Sequence, residues 1–349
     1  MKAEFTVKLI EWNSNNNHRS MPWKGERDPY KIWLSEIILQ QTRVEQGWEY
    51  YLKFINRFPT IHDLANAPEE TVFKLWEGLG YYTRCKNLHA TAKFISQTYL
   101  GKFPSNYNDI LSLKGIGPYT AAAIASFAFN LPHAVVDGNV QRVLSRYFGI
   151  NTPIDSPSGK ELYRELAESL LDREQPGIFN QAMMDFGATI CKPRNPLCNV
   201  CIQREDCQAF QHGWVAMLPI KEKILQKKSR WFTYYIVRYG EKVYIRKRSG
   251  KDIWANLFEF ILHESENEES HVQAQTVRMI EKIVGDNFFK IESISPFFKQ
   301  QLTHQTIHGQ FVTVTVDKPL DTELYQLIPQ TELSKYPFPK MINAFLGQS

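Results

Sequence analysis

The chain has 349 residues, 43% hydrophobic, 13% aromatic and 22% charged, a composition that buries a sizeable core and excludes a disordered, collagenous or low-complexity chain. The length points to two domains, and 41 Lys and Arg against 37 Asp and Glu leave a net +4. No apolar run reaches the ~20 residues of a membrane span, and the start MKAEFTVKLIEW carries no apolar signal segment. The expectation is therefore a soluble intracellular, cytoplasmic protein with no membrane contact.

Residues 1–215 read as mostly helical. An apolar stretch from Ile32 to Leu39 predicts a helix starting near Pro29, with Glu36 inside it. Helical spacing continues over Leu64–Tyr82, Leu88–Tyr99 and Thr120–Phe129. Phe58-Pro59-Thr60, Gly78-Leu79-Gly80, Gly101-Lys102-Phe103-Pro104 and Gly115-Ile116-Gly117-Pro118 punctuate these segments. Residues 216–229 read as a basic linker. From 230 onward the texture is α+β: Trp231–Tyr239 and Lys242–Arg248 form a hairpin about Gly240, a helix falls between His271 and Val284, and Gln310–Val316 alternates as a strand. Lys221–Lys251 holds 11 basic and 2 acidic residues, which suggests contact with a polyanion such as nucleic acid, or else a solvated linker and strand face.

Three features carry chemistry. Leu113 to Ala121 joins two helices through Gly115 and Gly117. Such a turn brings backbone close to another molecule, and the N–H groups opening the next helix suit a phosphate. This is the pattern of a helix-hairpin-helix, which grips a DNA backbone without reading sequence. Next, Asp137 in Val136-Asp137-Gly138-Asn139-Val140 is placed to cap a helix, whose N-terminus would also keep a catalytic carboxylate ionised. Glu36, amid apolar neighbours, is either solvent-facing or a desolvated acid with a raised pKa. One proton donor and one anion are what glycosidic cleavage requires. Finally, Cys191, Cys198, Cys201 and Cys207 are spaced C-x6-C-x2-C-x5-C. Four thiolates at this spacing suit a tetrahedral metal or an iron–sulfur cluster, and spacing does not choose between them. Cys85 is left over as a buried small hydrophobe.

Taken together, Met21-Pro22-Trp23, Trp33 to Val44, the hairpin, Val136 to Val140 and the cysteine loop resemble the MutY adenine DNA glycosylases of the endonuclease III superfamily, over roughly residues 5–215. The resemblance implies a multidomain protein: an all-α helix-hairpin-helix glycosylase domain over 1–215 with an iron–sulfur loop, the linker, and a Nudix-like (MutT-like) domain over 230–349. It implies a monomeric base-excision-repair enzyme that removes adenine paired with 8-oxoguanine or guanine from double-stranded DNA by base flipping. Glu36 would protonate adenine at N7 and Asp137 would stabilise the oxocarbenium-like sugar or attack it transiently, with Tyr119 and Asn139 around them. Arg19, Trp23 and Gln181 match the adenine pocket, and Gln41 matches the residue that fills the gap left by the flipped base. Thr42 and Tyr81 match contacts to the oxidised guanine or its surroundings. Thr303 and His304 match a loop that recognises it, with Leu302 in place of an aromatic. The four cysteines match ligands of a [4Fe–4S] cluster.

Tyr119 stands where strand-cutting superfamily members carry a lysine, which favours a monofunctional enzyme over an endonuclease III-type glycosylase/lyase. A binding protein without chemistry is the second rival, and the Glu36–Asp137 pair argues against it. Trp254-Ala255-Asn256-Leu257-Phe258-Glu259-Phe260 resembles the MutT-like domain, yet residues 263–284 do not supply the R-E-x-x-E-E core that nucleotide hydrolysis needs in that fold. A Nudix-type hydrolase is therefore the weakest rival.

Overall fold

The computed structural model describes residues 2–222, 227–250, 252–265 and 273–347. Its contacts divide the chain into two compact units, Met1–Asn66 with Asn87–Ile224, and Ala67–Lys86 with Leu225–Ser349. The short segment Ala67–Lys86, which the sequence places in the first domain, thus groups with the C-terminal residues. Part of the expected linker, residues 223–226, lies outside the described residues, as do 271–272 of the expected helix. Among the described residues no helix is long and apolar enough to cross a membrane.

Among the described residues, α-helices precede the sheet: α1 (Lys2–Asn16), α2 (Pro29–Leu39), α3 (Val44–Arg57), α4 (Ile61–Asn66), α5 (Glu69–Trp76), α6 (Tyr82–Thr98), α7 (Tyr107–Ser112), α8 (Pro118–Phe129), α9 (Gly138–Phe148), α10 (Pro157–Leu170), α11 (Pro176–Thr189) and α12 (Gln208–Gln211). The helical pattern over Leu64–Tyr82 is not one helix. Pro68 begins α5, and Gly78 and Gly80, both at positive φ, break the chain before α6.

The core of the helical unit follows from spacing. On α9, Val140, Val143, Leu144 and Tyr147 recur at i, i+3, i+4 and i+7 and meet Phe5, Leu9 and Trp12 of α1 and Phe179, Met183 and Phe186 of α11. Each such side chain contributes about 1.5–3 kcal/mol on burial. By contrast, α2 is buried all round, from Ile32 through Ile38 without a break. It starts at Pro29 as expected, with Asp28 Oδ1 accepting from Tyr30 N at 2.9 Å. A helix with no wet face leaves Glu36 nowhere to turn.

The hairpin lies between α7 and α8. Ile116 N donates to Leu113 O at 3.1 Å, Gly115 sits at φ +81°, and Gly117 caps α8 with Pro118 at its first position.

The C-terminal unit is a mixed sheet of eight strands: β1 (Lys228–Tyr239), β2 (Lys242–Lys247), β3 (Phe258–Glu259), β4 (Ile261–Ser265), β5 (Phe289–Ile294), β6 (Phe298–Gln301), β7 (Gln305–Val316) and β8 (Gln326–Pro329). Its central order is β3-β2-β1-β7-β5, with β4 on β1, β6 on β7 and β8 on β2. The hairpin about Gly240 pairs Tyr239 with Lys242. β1 and β7 run parallel, with Tyr234 opposite Phe311, and the chain between them includes helix α13 (Gln273–Val284). Ile280 and Val284 of α13 pack on Tyr235, Val237, Val312 and Val314. Helix α14 (Lys340–Leu346) closes the chain.

Part of the basic run is paired with acids. Arg230 pairs with Asp252 (2.7 Å) and Glu264 (2.6 Å), Arg246 and Arg248 both pair with Glu259, and Lys247 pairs with Glu69 and Glu70. Four of its eleven basic residues are thus paired among the described residues.

Candidate active site and cysteine loop

In the helical unit, Arg19, Trp23, Glu36, Thr42, Tyr119, Asp137, Asn139 and Gln181 line one cavity of about 360 Å³. Glu36 is 6% exposed on the all-buried α2. Burial pushes its carboxyl up to about 7; Asp137 adds to the rise and hydrogen bonding with Tyr119 opposes it. Tyr119, whose hydroxyl lies 3.8 Å from Met184 Sδ, is itself held well above the usual phenol range by burial beside the two carboxyls.

Asp137 is the N-cap of α9, as expected. Its Oδ1 accepts from Asn139 N and Val140 N, both at 2.8 Å, and its Oδ2 accepts from Asn139 Nδ2 at 2.6 Å. The expectation is that the helix start keeps this carboxylate ionised, and burial works against it. Burial raises the Asp137 carboxyl, and the three donors and Arg142 only partly offset this. The asymmetry between the two carboxyls is nonetheless clear. The Asp137 anion is met by three N–H groups, whereas Glu36 has the Tyr119 phenol as its hydrogen-bonding neighbour.

Asn139 is held in turn. Arg142 Nη2 donates to Asn139 Oδ1 at 2.9 Å and to Gly187 O at 2.7 Å, and Arg142 Nε donates to Cys191 O at 2.8 Å. Gly187 approaches so closely that a Cβ there would lie 2.7 Å from Asn139 Cβ. Asn180, fully buried on α11, fixes the approach to Asp137 by accepting from Val135 N and donating to His133 O and Ser126 Oγ.

Trp23 joins the cavity while its ring meets Trp48 and Tyr51 edge-on, so it is a core aromatic as well as a wall. Thr42, matched by sequence to the oxidised guanine, lines this same cavity with Glu36. Gln41 does not line it; it is exposed, at φ +56°. Arg19 and Gln181 both reach the buried carboxylate of Asp185, which sequence reasoning missed. The available signal was an aspartate inside the apolar run Ala182-Met183-Met184-Asp185-Phe186, the same cue that marked Glu36.

Tyr81, Thr303 and His304 belong to the other unit, where they line a second cavity of about 700 Å³ with Trp254 and Asn256. Tyr81 and Thr303 hydroxyls hydrogen-bond to each other. Tyr81, Trp254 and Asn256 all hold positive φ, a costly conformation outside glycine that concentrates at functional loops. Glu259 of the MutT-like segment is saturated by arginines, and the R-E-x-x-E-E core is absent from the described residues.

Cys191, Cys198, Cys201 and Cys207 surround one apolar pocket, with Arg146 beside them and its Nη1 3.4 Å from Cys191 Sγ. Among the described residues no group of three or more His, Cys, Asp or Glu is disposed to hold a single metal ion. Four thiols spread around a cavity, backed by arginine, suit a multi-atom cluster better than a lone ion. Cys85 is fully buried, as expected.

The helical unit with its glycine turn and two carboxyls in one cavity is that of a base excision DNA repair protein, as the family match shows. Residues 34–170 match the HhH-GPD superfamily of base excision DNA repair proteins, and residues 233–348 match the NUDIX domain. An adenine DNA glycosylase of Buchnera aphidicola subsp. Baizongia pistaciae is 36% identical over 319 residues, covering 90% of this chain and 87% of that one. The human adenine DNA glycosylase is 39% identical over 216 residues, 59% of this chain and 39% of that one. Among solved structures, a thermostable thymine-DNA glycosylase is 32% identical with a TM-score of 0.56, over 60% of this chain and 97% of that one. A non-covalent endonuclease III–DNA complex, 22% identical with a TM-score of 0.53 over 61% of this chain and 98% of that one, shares the fold. The chain belongs to the adenine DNA glycosylase family. It is an N-glycosylase hydrolase of base excision repair that acts on DNA.

Proposed function

We propose that this enzyme hydrolyses the N-glycosidic bond of adenine mispaired with 8-oxoguanine or guanine in duplex DNA, without cutting the strand. The observation that carries this reading is the pair of carboxyls, buried Glu36 and half-buried Asp137, in one cavity with opposite surroundings. Glu36, poised near neutrality and without a cationic partner among the described residues, is suited to deliver a proton to N7 of the flipped base as the C1′–N9 bond breaks. Asp137, whose anion is met by three N–H donors, is suited to face the developing positive charge on the sugar. Water completes the hydrolysis, leaving free adenine and an abasic site. Arg19, Trp23 and Gln181 form the base-binding wall, and Thr42 stands at the same cavity.

The lack of strand cleavage rests on Tyr119 and on Lys24. A lyase needs a free amine to form a Schiff base. Lys24 lines the cavity, but its Nζ is tied to Asp185 Oδ2 at 2.9 Å and to Arg19 O at 2.8 Å. The hairpin glycines Gly115 and Gly117 serve the DNA backbone, Gln41 fills the vacated stack, and Tyr81, Thr303 and His304 read the 8-oxoguanine. The four cysteines would hold a [4Fe–4S] cluster, which when bound would supply a cross-link between the chain just after α11, the loop and the start of α12. The chain acts as a monomer in this reading.

The test is a single-turnover incubation with a duplex holding one adenine opposite 8-oxoguanine, analysed with and without hot alkali. A nick only after alkali is expected. A nick without alkali would overturn the monofunctional assignment, and no product would overturn adenine as the substrate.

A further inference from the structure

Asp185 is fully buried on α11 and does not itself line the cavity, yet four side chains converge on it. Its Oδ1 accepts from Arg19 Nη1 at 2.8 Å and from Gln181 Nε2 at 2.9 Å. Its Oδ2 accepts from Asn17 Nδ2 at 2.8 Å and from Lys24 Nζ at 2.9 Å. Four donors fill the roughly four lone-pair sites of a carboxylate. Arg19 and Lys24 bring two positive charges against this buried carboxylate.

An ionised carboxylate accepts and never donates. Whatever Gln181 turns toward Asp185 must therefore be its NH2 group, and the amide cannot flip. That leaves Gln181 Oε1 as the group offered elsewhere, with no protein partner among the described residues, on a side chain that lines the cavity. We infer that Asp185 is a positioning residue for base selectivity: it locks the Gln181 amide so that the cavity presents an acceptor, which pairs with a 6-amino purine and repels a 6-oxo purine. This rests on the adenine reading above and adds a reason for the choice between purines. The selectivity is a matter of matched polarity: a 6-oxo group would set two acceptors against each other.

The experiment compares single-turnover release of adenine, unsubstituted purine and hypoxanthine, each opposite 8-oxoguanine in one duplex, by the holoprotein and two variants. Each base's intrinsic lability cancels when every rate is divided by that of the parent enzyme on the same base. Gln181→Leu removes the acceptor, and Asp185→Asn lets the amide turn either way. Both are expected to slow adenine about tenfold more than hypoxanthine, the scale of one hydrogen bond. In both, purine, which has no group at position 6, is expected to lose less than adenine. A merely structural role would slow all three bases alike, and an unchanged ratio in Gln181→Leu would overturn the inference even if Asp185→Asn failed to fold. Adenine release by the parent with unchanged ratios removes this inference and leaves the adenine reading standing, whereas no adenine release by the parent removes both.

Discussion

Two buried glutamates in this protein have opposite fates. Glu259 in the sheet unit is 1% exposed and is held by Arg246 at 3.0 Å and by Arg248, which also reaches Asp252 at 2.9 Å. Glu36 in the helical unit is nearly as buried, with no cation paired to it among the described residues and a carboxyl raised to about 7. A carboxylate matched by guanidinium is neutralised and serves as structure. The same group denied a cation keeps a proton near neutrality, and an available proton is what general acid catalysis uses. Burial alone therefore does not distinguish a working residue; the identity of the neighbours does.

The comparison breaks first if Glu36 is replaced. Glu36→Gln should lower single-turnover base release by a factor of about 10²–10⁴, the usual worth of a general acid, while leaving the melting temperature no lower than that of the parent. Arg248→Met should do the reverse in kind. It strips a partner from a buried carboxylate and should lose about 3–5 kcal/mol in urea denaturation of the full chain, with base release per folded molecule unchanged. The pH profile sharpens the contrast. Glu36 is raised in the folded state, so it holds a proton there that the unfolded chain has already released. Its contribution to stability is present below about 4.5 and is lost as pH rises through about 7. Base release should fall over the same upper limb, tenfold per pH unit above 7, and the stability difference between parent and Glu36→Gln should narrow toward low pH. The smallest effect belongs to an ion pair in water. Lys335→Ala, which removes the exposed partner of Glu332, should change stability by about 0.5 kcal/mol or less.

What could be read from the sequence was what local rules decide. The start of α2 at Pro29, the glycine turn into α8, the cap at Asp137 and the strand pair about Gly240 each depend on residues within a few positions of one another. Joining Leu64 to Tyr82 as one pattern failed because apolar spacing runs on across Pro68 and the Gly78 and Gly80 breaks, whereas backbone geometry does not. The partial pairing of the basic run with acids was not legible, since Lys247 meets Glu69 and Glu70 from far along the chain. Asp185 was missed for the same reason: Gln181 is one helical turn away, but Asn17, Arg19 and Lys24 arrive from the opposite end of the unit. The carboxyl pair was legible as residue types, and its asymmetry became visible only with the donors around Asp137.

The two hairpin glycines differ in what constrains them. At Gly115 a substituent would meet both a left-handed backbone and the side chain of Asn87, so replacing it disturbs the protein itself. At Gly117 the backbone is ordinary and a Cβ would meet nothing within 4 Å. Nothing inside the molecule requires glycine there. A variant such as Gly117→Ala would pass every assay of folding, expression and thermal stability, and would register only when something outside the protein comes to occupy that space. Screens that rank variants by stability are blind to this kind of position.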